Sequence, residues 1–176
     1  GAGHGSGLAA FQSPDGIHWS PFQPEVIIKG YAFDSQNQAF WDPVDGIYRC
    51  YFRHFHDGIR DIRLATSKDF KTWTEPKMLR YTGDVPDDAL YINGISRYYR
   101  APAFFVGFPA RYVERPWVES HNRLPDVEHR RLRSKDSLRY GTAITDCNFM
   151  SSRDGETFHR WPEAFVRPGY ERRDNW

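Results

Sequence analysis

The sequence has little cysteine or methionine, no long apolar run and no surplus of either charge. Cys50 and Cys147 are the only cysteines in 176 residues, too few for a disulfide scaffold, and they read as two buried thiols or as one bridge. Lys and Arg number 24 against 23 Asp and Glu, a formal net charge of +1. A dedicated nucleic-acid binder would show a clear basic excess, so no nucleic-acid partner is expected. No stretch approaches the roughly 20 apolar residues that cross a bilayer, so no membrane partner is expected either. No charged start followed by an apolar stretch opens the sequence, so no secretory leader is read from it and the compartment stays open. Gly-rich phosphate loops, Cys-Xaa-Xaa-Cys pairs and nucleophile-elbow patterns are missing, and no cofactor is expected.

Aromatic residues, by contrast, make up 16% of the chain. They favour strands and also form flat platforms for sugars. Mean hydropathy is low at −0.73, yet this aromatic content argues against disorder. Helical periodicity is almost absent, whereas short aromatic or β-branched runs recur between Gly, Pro and Asp-Gly punctuation. Asp15-Gly16, Asp45-Gly46, Asp57-Gly58 and Asp154-Gly155 suit tight hairpins, because Gly, and to a lesser degree Asp, accepts positive φ. The clearest unit lies between Phe33 and Trp73, with strands predicted at 38–41, 47–55, 60–66 and 72–74. Its second strand is apolar on both faces and therefore belongs between two layers. Four antiparallel strands in about 45 residues is the size of one propeller blade.

A short pattern recurs. Ser13-Pro14-Asp15-Gly16-Ile17-His18-Trp19 resembles Ser67-Lys68-Asp69-Phe70-Lys71-Thr72-Trp73, with a slip of one residue allowed, and also Ser152-Arg153-Asp154-Gly155-Glu156-Thr157-Phe158. Each copy reads as a hairpin closing a blade, its Asp capping the turn and its aromatic ring packing between blades. Asp15, Asp69 and Asp154 are accordingly read as structural. Blade-like sections run over 7–30, 31–80 and 90–161, followed by a tail to Trp176. A polar excursion over 114–140 interrupts the third and reads as a solvated surface loop, its basic cluster balanced by Asp126, Glu128 and Asp136.

The run from Phe33 to Tyr48, with Asp34, the aromatic pair Phe40-Trp41 and the Asp45-Gly46 turn, resembles the innermost hairpin of a blade in the five-bladed glycoside hydrolases. These are the arabinanase/xylosidase and invertase/levanase types. The Ser-Xaa-Asp-Gly-Xaa-Xaa-Trp turns resemble that group too and, more loosely, the Asp boxes of sialidases. The runs 98–109 and 149–155 resemble segments of uncharacterised bacterial proteins of this type. The resemblance implies an all-β fold of propeller-like blades, each of four antiparallel strands. At about 40–50 residues per blade, one domain over 1–176 holds about three. Such a ring is partial or is completed by oligomerisation, so a homo-oligomer is expected. The resemblance slightly favours a secreted or periplasmic location.

It also implies a glycoside hydrolase-like activity on an oligo- or polysaccharide, by carboxylate acid/base catalysis. That chemistry needs two carboxyl groups across the scissile bond. Asp34 fits the start of an inner strand, where the family places a nucleophile, base or stabiliser. Asp146 sits in an otherwise apolar strand, where a buried carboxylate requires a function or an Arg partner. Glu163, after Trp161-Pro162, is the candidate general acid. Where the family often carries an acidic residue, this chain has Asn93. For substrate, Gln36, Asn37 and Asn93 offer amides, Trp41 a stacking face, and Arg53, His54, His56 and Arg100 charge suited to an acidic or sulfated sugar. His54 and His56 share a strand face at i, i+2, but with no third ligand evident no metal is expected. The alternatives are a non-catalytic carbohydrate-binding or assembly propeller, and an inactive fragment of a larger enzyme.

Overall fold

The computed structural model describes residues 7–34, 36–137 and 140–169; the tail beyond these lies outside the described residues. The chain is mostly β. It opens with two two-stranded sheets: β1 (Gly7–Leu8) and β2 (Phe11–Gln12) pair with β4 (Ile28–Lys29) and β3 (Ser20–Pro21) respectively. A four-stranded antiparallel sheet follows, in the order β5 (Gln38–Asp42), β6 (Ile47–His56), β7 (Ile59–Ser67) and β8 (Lys77–Met78). The fourth strand lies at Lys77–Met78 rather than over 72–74. The turn after Ser67 consumes those residues, and only Thr74 bonds back to Thr66, N to O, at 2.9 Å.

The remaining strands are β9 (Arg80–Thr82), β10 (Ala89–Ile92), β11 (Ser96–Arg97), β12 (Phe105–Gly107), β13 (Ala110–Val113), β14 (Ile144–Cys147), β15 (Met150–Ser152) and β16 (Thr157–Arg160). One sheet runs β10-β13-β14; another runs β11-β12-β15-β16, with β9 added in parallel at the β16 edge. The chain passes directly from β10 to β11, from β12 to β13 and from β14 to β15. The two sheets are therefore one long set of strands bent at a common line. At that line sit buried Asn93, Pro109 and Asn148, tied by Phe108 N to Asn93 O at 3.2 Å and Asn148 N to Pro109 O at 3.0 Å.

Both faces of β6 are covered, as its double-sided apolar pattern requires. Tyr51 packs on one side with Ile62, Leu64, Leu90, Phe105, Met150 and Phe158, and Cys50 and Phe52 on the other with Ile28 and Ala65. Burying a side chain of this size contributes about 1.5–3 kcal/mol. Both cysteines are free thiols, and burial pushes Cys50 up to about 12.

The three Ser-Xaa-Asp turns superpose in their bonding with no slip. In each, the Ser hydroxyl donates to Asp Oδ1 at 2.9–3.0 Å and accepts the N–H three residues on, while the same Oδ1 accepts the next two N–H groups. The residue after Asp takes positive φ each time: Gly16 at 77°, Phe70 at 64° and Gly155 at 74°. Phe70 accepts a conformation that suits glycine, its ring held by Tyr48, Trp73 and Phe22. The closing aromatic is buried at Phe158 but exposed at Trp19.

The 114–140 excursion is not a plain loop. It contains a short 3₁₀ helix, Glu119–Arg123, and an α-helix α1, Val127–Asp136. No apolar stripe announces α1, and its Leu132 is exposed. Polar contacts hold it instead, with Arg130 Nε donating to Pro125 O at 3.0 Å and Arg131 Nη2 to Asn122 Oδ1 at 2.6 Å. A hydrophobic period could not reveal such a helix.

An ionic knot joins the sheet of β5 to that of β11. Fully buried Asp42 accepts from Arg49 Nε at 2.7 Å and from Arg97 Nε and Nη2 at 2.7 and 2.8 Å. Asp45 accepts from both arginines as well, and both guanidinium groups lie over the Phe105 ring. Burial pushes the Asp42 carboxyl up, but the hydrogen bonds from Arg97 and Arg49 outweigh it and hold the group at about 2. The folded value lies below the unfolded one of about 3.9. Its stabilising effect is thus complete above that unfolded value and is lost as pH falls towards 2. Asp42→Ala is expected to cost about 3–5 kcal/mol by leaving two buried cations short of a partner. In urea titrations at a series of pH values, the variant should also lose less stability than the parent between about pH 4 and 2.

Candidate functional site

The site is built at the end of the β5–β6 hairpin opposite the ionic knot. Asp34 precedes β5, and its half-exposed carboxylate accepts a hydrogen bond from the Tyr91 hydroxyl at 2.5 Å. Arg53 Nη1 lies 3.4 Å from the same oxygen, and Arg53 Nε donates to Ala32 O at 3.2 Å. The rings of Phe55 and Tyr91 stand 5.2 Å from the Arg53 guanidinium. Arg60, paired across the hairpin with Phe55, lies over Phe55, Tyr91 and Tyr112 at 5.7–5.9 Å. One carboxylate, two guanidinium groups and three rings therefore share one surface.

Gln36 and Asn93 brace this surface. Gln36 Oε1 accepts the N–H groups of Asn93 and Gly94 at 2.9 and 3.1 Å, and Asn93 Nδ2 donates to Gln36 O at 3.0 Å. Asn93 is buried and its Oδ1 accepts Ile95 N at 3.1 Å, so its amide serves the bend between β10 and β11. Gln36 takes positive φ, 53°, to make this contact. Asn37 is half-buried, with Oδ1 enclosed and unpartnered.

The two histidines diverge. His54 Nδ1 accepts Ala32 N–H at 3.1 Å and packs edge-on to Tyr31; burial, then Arg63 and Arg53, lower its pKa. His56 Nε2 instead faces Asp87 at 3.3 Å and Asp61 at 3.7 Å. Among the described residues no cluster of His, Cys, Asp or Glu could hold a metal.

The other sequence candidates lie elsewhere. Trp41 is near the far end of β5, edge-on to Tyr48, and Arg100 lies over Tyr99 in the turn that follows Arg97. Both therefore sit at the Asp42 end. Asp146 is held in a fork by Arg111, Nε to Oδ1 at 2.9 Å and Nη2 to Oδ2 at 2.7 Å. That pair, opposite buried Leu90, also meets Asp88 and Pro162; Tyr112, one residue on, faces the Arg60 side. Asp146 and Asp34 thus project from opposite faces, as alternation along a strand dictates. Glu163 is exposed and lines a shallow cavity of about 340 Å³ with Phe149, Trp161 and Phe165.

No protein-family model matches the chain, and no curated protein does. A solved structure does. It is an N-acetylgalactosamine deacetylase from F. plautii in complex with blood group B trisaccharide, matched at a TM-score of 0.55 and 11% identity. The match covers 82% of this chain and 34% of that one, so this chain corresponds to about a third of that protein's length. At this identity the likeness is one of fold.

Tyr91, Arg60, Phe55 and Tyr112 were not read as site residues from sequence. Phe55 and Arg60 flank Asp57-Gly58, so a hairpin register alone would have joined them; Tyr91 meets Asp34 only through the tertiary fold. The two carboxylates should separate in a thermal melt. Asp34→Asn, at a half-exposed group, is expected to change stability by no more than about 0.5 kcal/mol. Asp146→Ala, which strips the fork partner from Arg111, should cost about 3 kcal/mol or more.

Proposed function

We propose that this chain is a carbohydrate-active β-propeller segment that binds an oligo- or polysaccharide across the Asp34 face. The observation that carries the reading is the Asp34 carboxylate, held by Tyr91 and Arg53 while still half-exposed. A carboxylate of this kind accepts sugar hydroxyls, and the adjoining rings suit the apolar face of a pyranose. Two further features support it. The four-stranded runs β5-β6-β7-β8 and β11-β12-β15-β16 each place a Ser-Xaa-Asp turn between their third and fourth strands, which is the repetition expected of blades. The fold likeness is to an enzyme crystallised with a trisaccharide.

In the catalytic form of this proposal, Asp34 acts as nucleophile, base or transition-state stabiliser in glycoside hydrolysis. Its second carboxylate comes from outside the described site, and a second copy of the chain in a homo-oligomer is one source. The non-catalytic form, a sugar-binding module, draws on a specific observation: Asp146 is committed to Arg111 and Glu163 sits apart from Asp34.

Calorimetric titration with neutral and acidic oligosaccharides, alongside an assay for new reducing ends, tests both. Binding that weakens at least about tenfold in Asp34→Asn without unfolding supports the site. Reducing ends released by the parent and lost in that variant support hydrolysis. Binding without release favours the module, and no binding of any sugar rejects the proposal.

A further inference from the structure

The charges on the Asp34 face do not balance. Arg53 is paired with Asp34 at 3.4 Å. Arg60 has no such partner: among the described residues no carboxylate oxygen comes within 4.0 Å of it. Its Nε is shut from solvent with no hydrogen-bond partner, and its guanidinium is wedged over Phe55, Tyr91 and Tyr112. A guanidinium on aromatic faces is attracted to the rings but keeps its N–H donors. Nε is enclosed, but the Nη1 and Nη2 groups of Arg60 are not, and these are the donors that an incoming anion would meet. Arg63, three positions along β7 and on its opposite face, donates Nη2 to Phe55 O at 3.3 Å.

We infer that the Asp34 face selects an anionic sugar, a uronate or a sulfated residue, with Arg60 as the residue that receives its acidic group. This rests on the carbohydrate-binding reading above and names the substrate class for it. Arg60 presents the planar fork that matches a carboxylate or sulfate, and Asp34 remains for the hydroxyls. The aromatic rings around Arg60 restrict its motion, so little rotamer entropy is lost when the anion binds.

The test uses the purified whole chain and calorimetric titration at low salt. The probes are a short galacturonate oligosaccharide, the same oligosaccharide as its methyl ester, a neutral galacto-oligosaccharide and its sulfated form. The acid is expected to bind about tenfold more tightly than its ester, as one charge-assisted hydrogen-bonding contact allows. Arg60→Gln should reduce that preference to within about twofold, read as the ratio of acid to ester affinity within the same folded variant. If the sulfated sugar shows the preference and the uronate does not, the anion site stands with sulfate as its ligand. Equal binding of acid, ester and sulfated forms overturns the inference and leaves the sugar-binding reading intact, as does a preference that survives Arg60→Gln. If Arg60→Gln fails to fold, the comparison of acid with ester in the parent chain decides alone. No binding of any probe, neutral ones included, overturns both readings.

Discussion

Two guanidinium groups share one fully buried carboxylate at Asp42, and the arrangement of the larger sheets depends on that sharing. Asp42 ends β5 opposite Ile47, Arg49 lies two residues further along β6, and Arg97 arrives from β11 in the other sheet. Removing three charges from water is expensive, and the cost is offset only when every donor finds an acceptor in good geometry. Here Asp45 accepts the surplus donors, and the Phe105 ring closes the arginines in. Gly155 of the third Ser-Xaa-Asp turn fits beside them: a Cβ there would come within 2.8 Å of the Tyr51 hydroxyl, which itself donates to Gly155 O. The knot thus holds the two sheets and the turn between β15 and β16 in one relation.

The Asp34 face follows from that relation. With the sheets clamped at one end, β10 is carried past the other end of β6. Tyr91 then meets Asp34, and Arg60 meets Tyr91 and Tyr112. The Gln36–Asn93 contacts set the bend in the strand leading there. Asn93, in the position where an acidic residue was expected, has a structural task, since its side chain bonds Gln36 and Ile95 rather than facing a ligand. Among the described residues Asp34 is the carboxylate left on the face, in a cationic and aromatic setting. On the reading proposed above, that chemistry serves to bind a polar, charged sugar.

Local physics was legible in the sequence wherever neighbours in the chain decide the outcome. Strand alternation, the double-sided character of β6 and the Ser-Xaa-Asp turns all depend on residues a few positions apart. The turns bond identically because Ser and Asp side chains reach only the next few N–H groups. The helix α1 escaped because it has no apolar face, and its Arg130 and Arg131 find partners that a pattern of hydrophobic residues does not encode.

That Asp34 leads into β5 and that Arg53 lies on the strand paired with it follow from the sequence. They lie on one hairpin, where register is nearly a matter of counting. Tertiary structure alone decided which distant groups join them. Tyr91 lies 57 positions beyond Asp34 and Arg97 lies 55 beyond Asp42. It also decided that Arg111 claims Asp146 on the opposite face and that Arg60 meets no carboxylate among the described residues. Those outcomes turn on how two sheets pack across a buried charge. No local propensity specifies it, because the energy of each pairing exists only once water has been excluded from both partners.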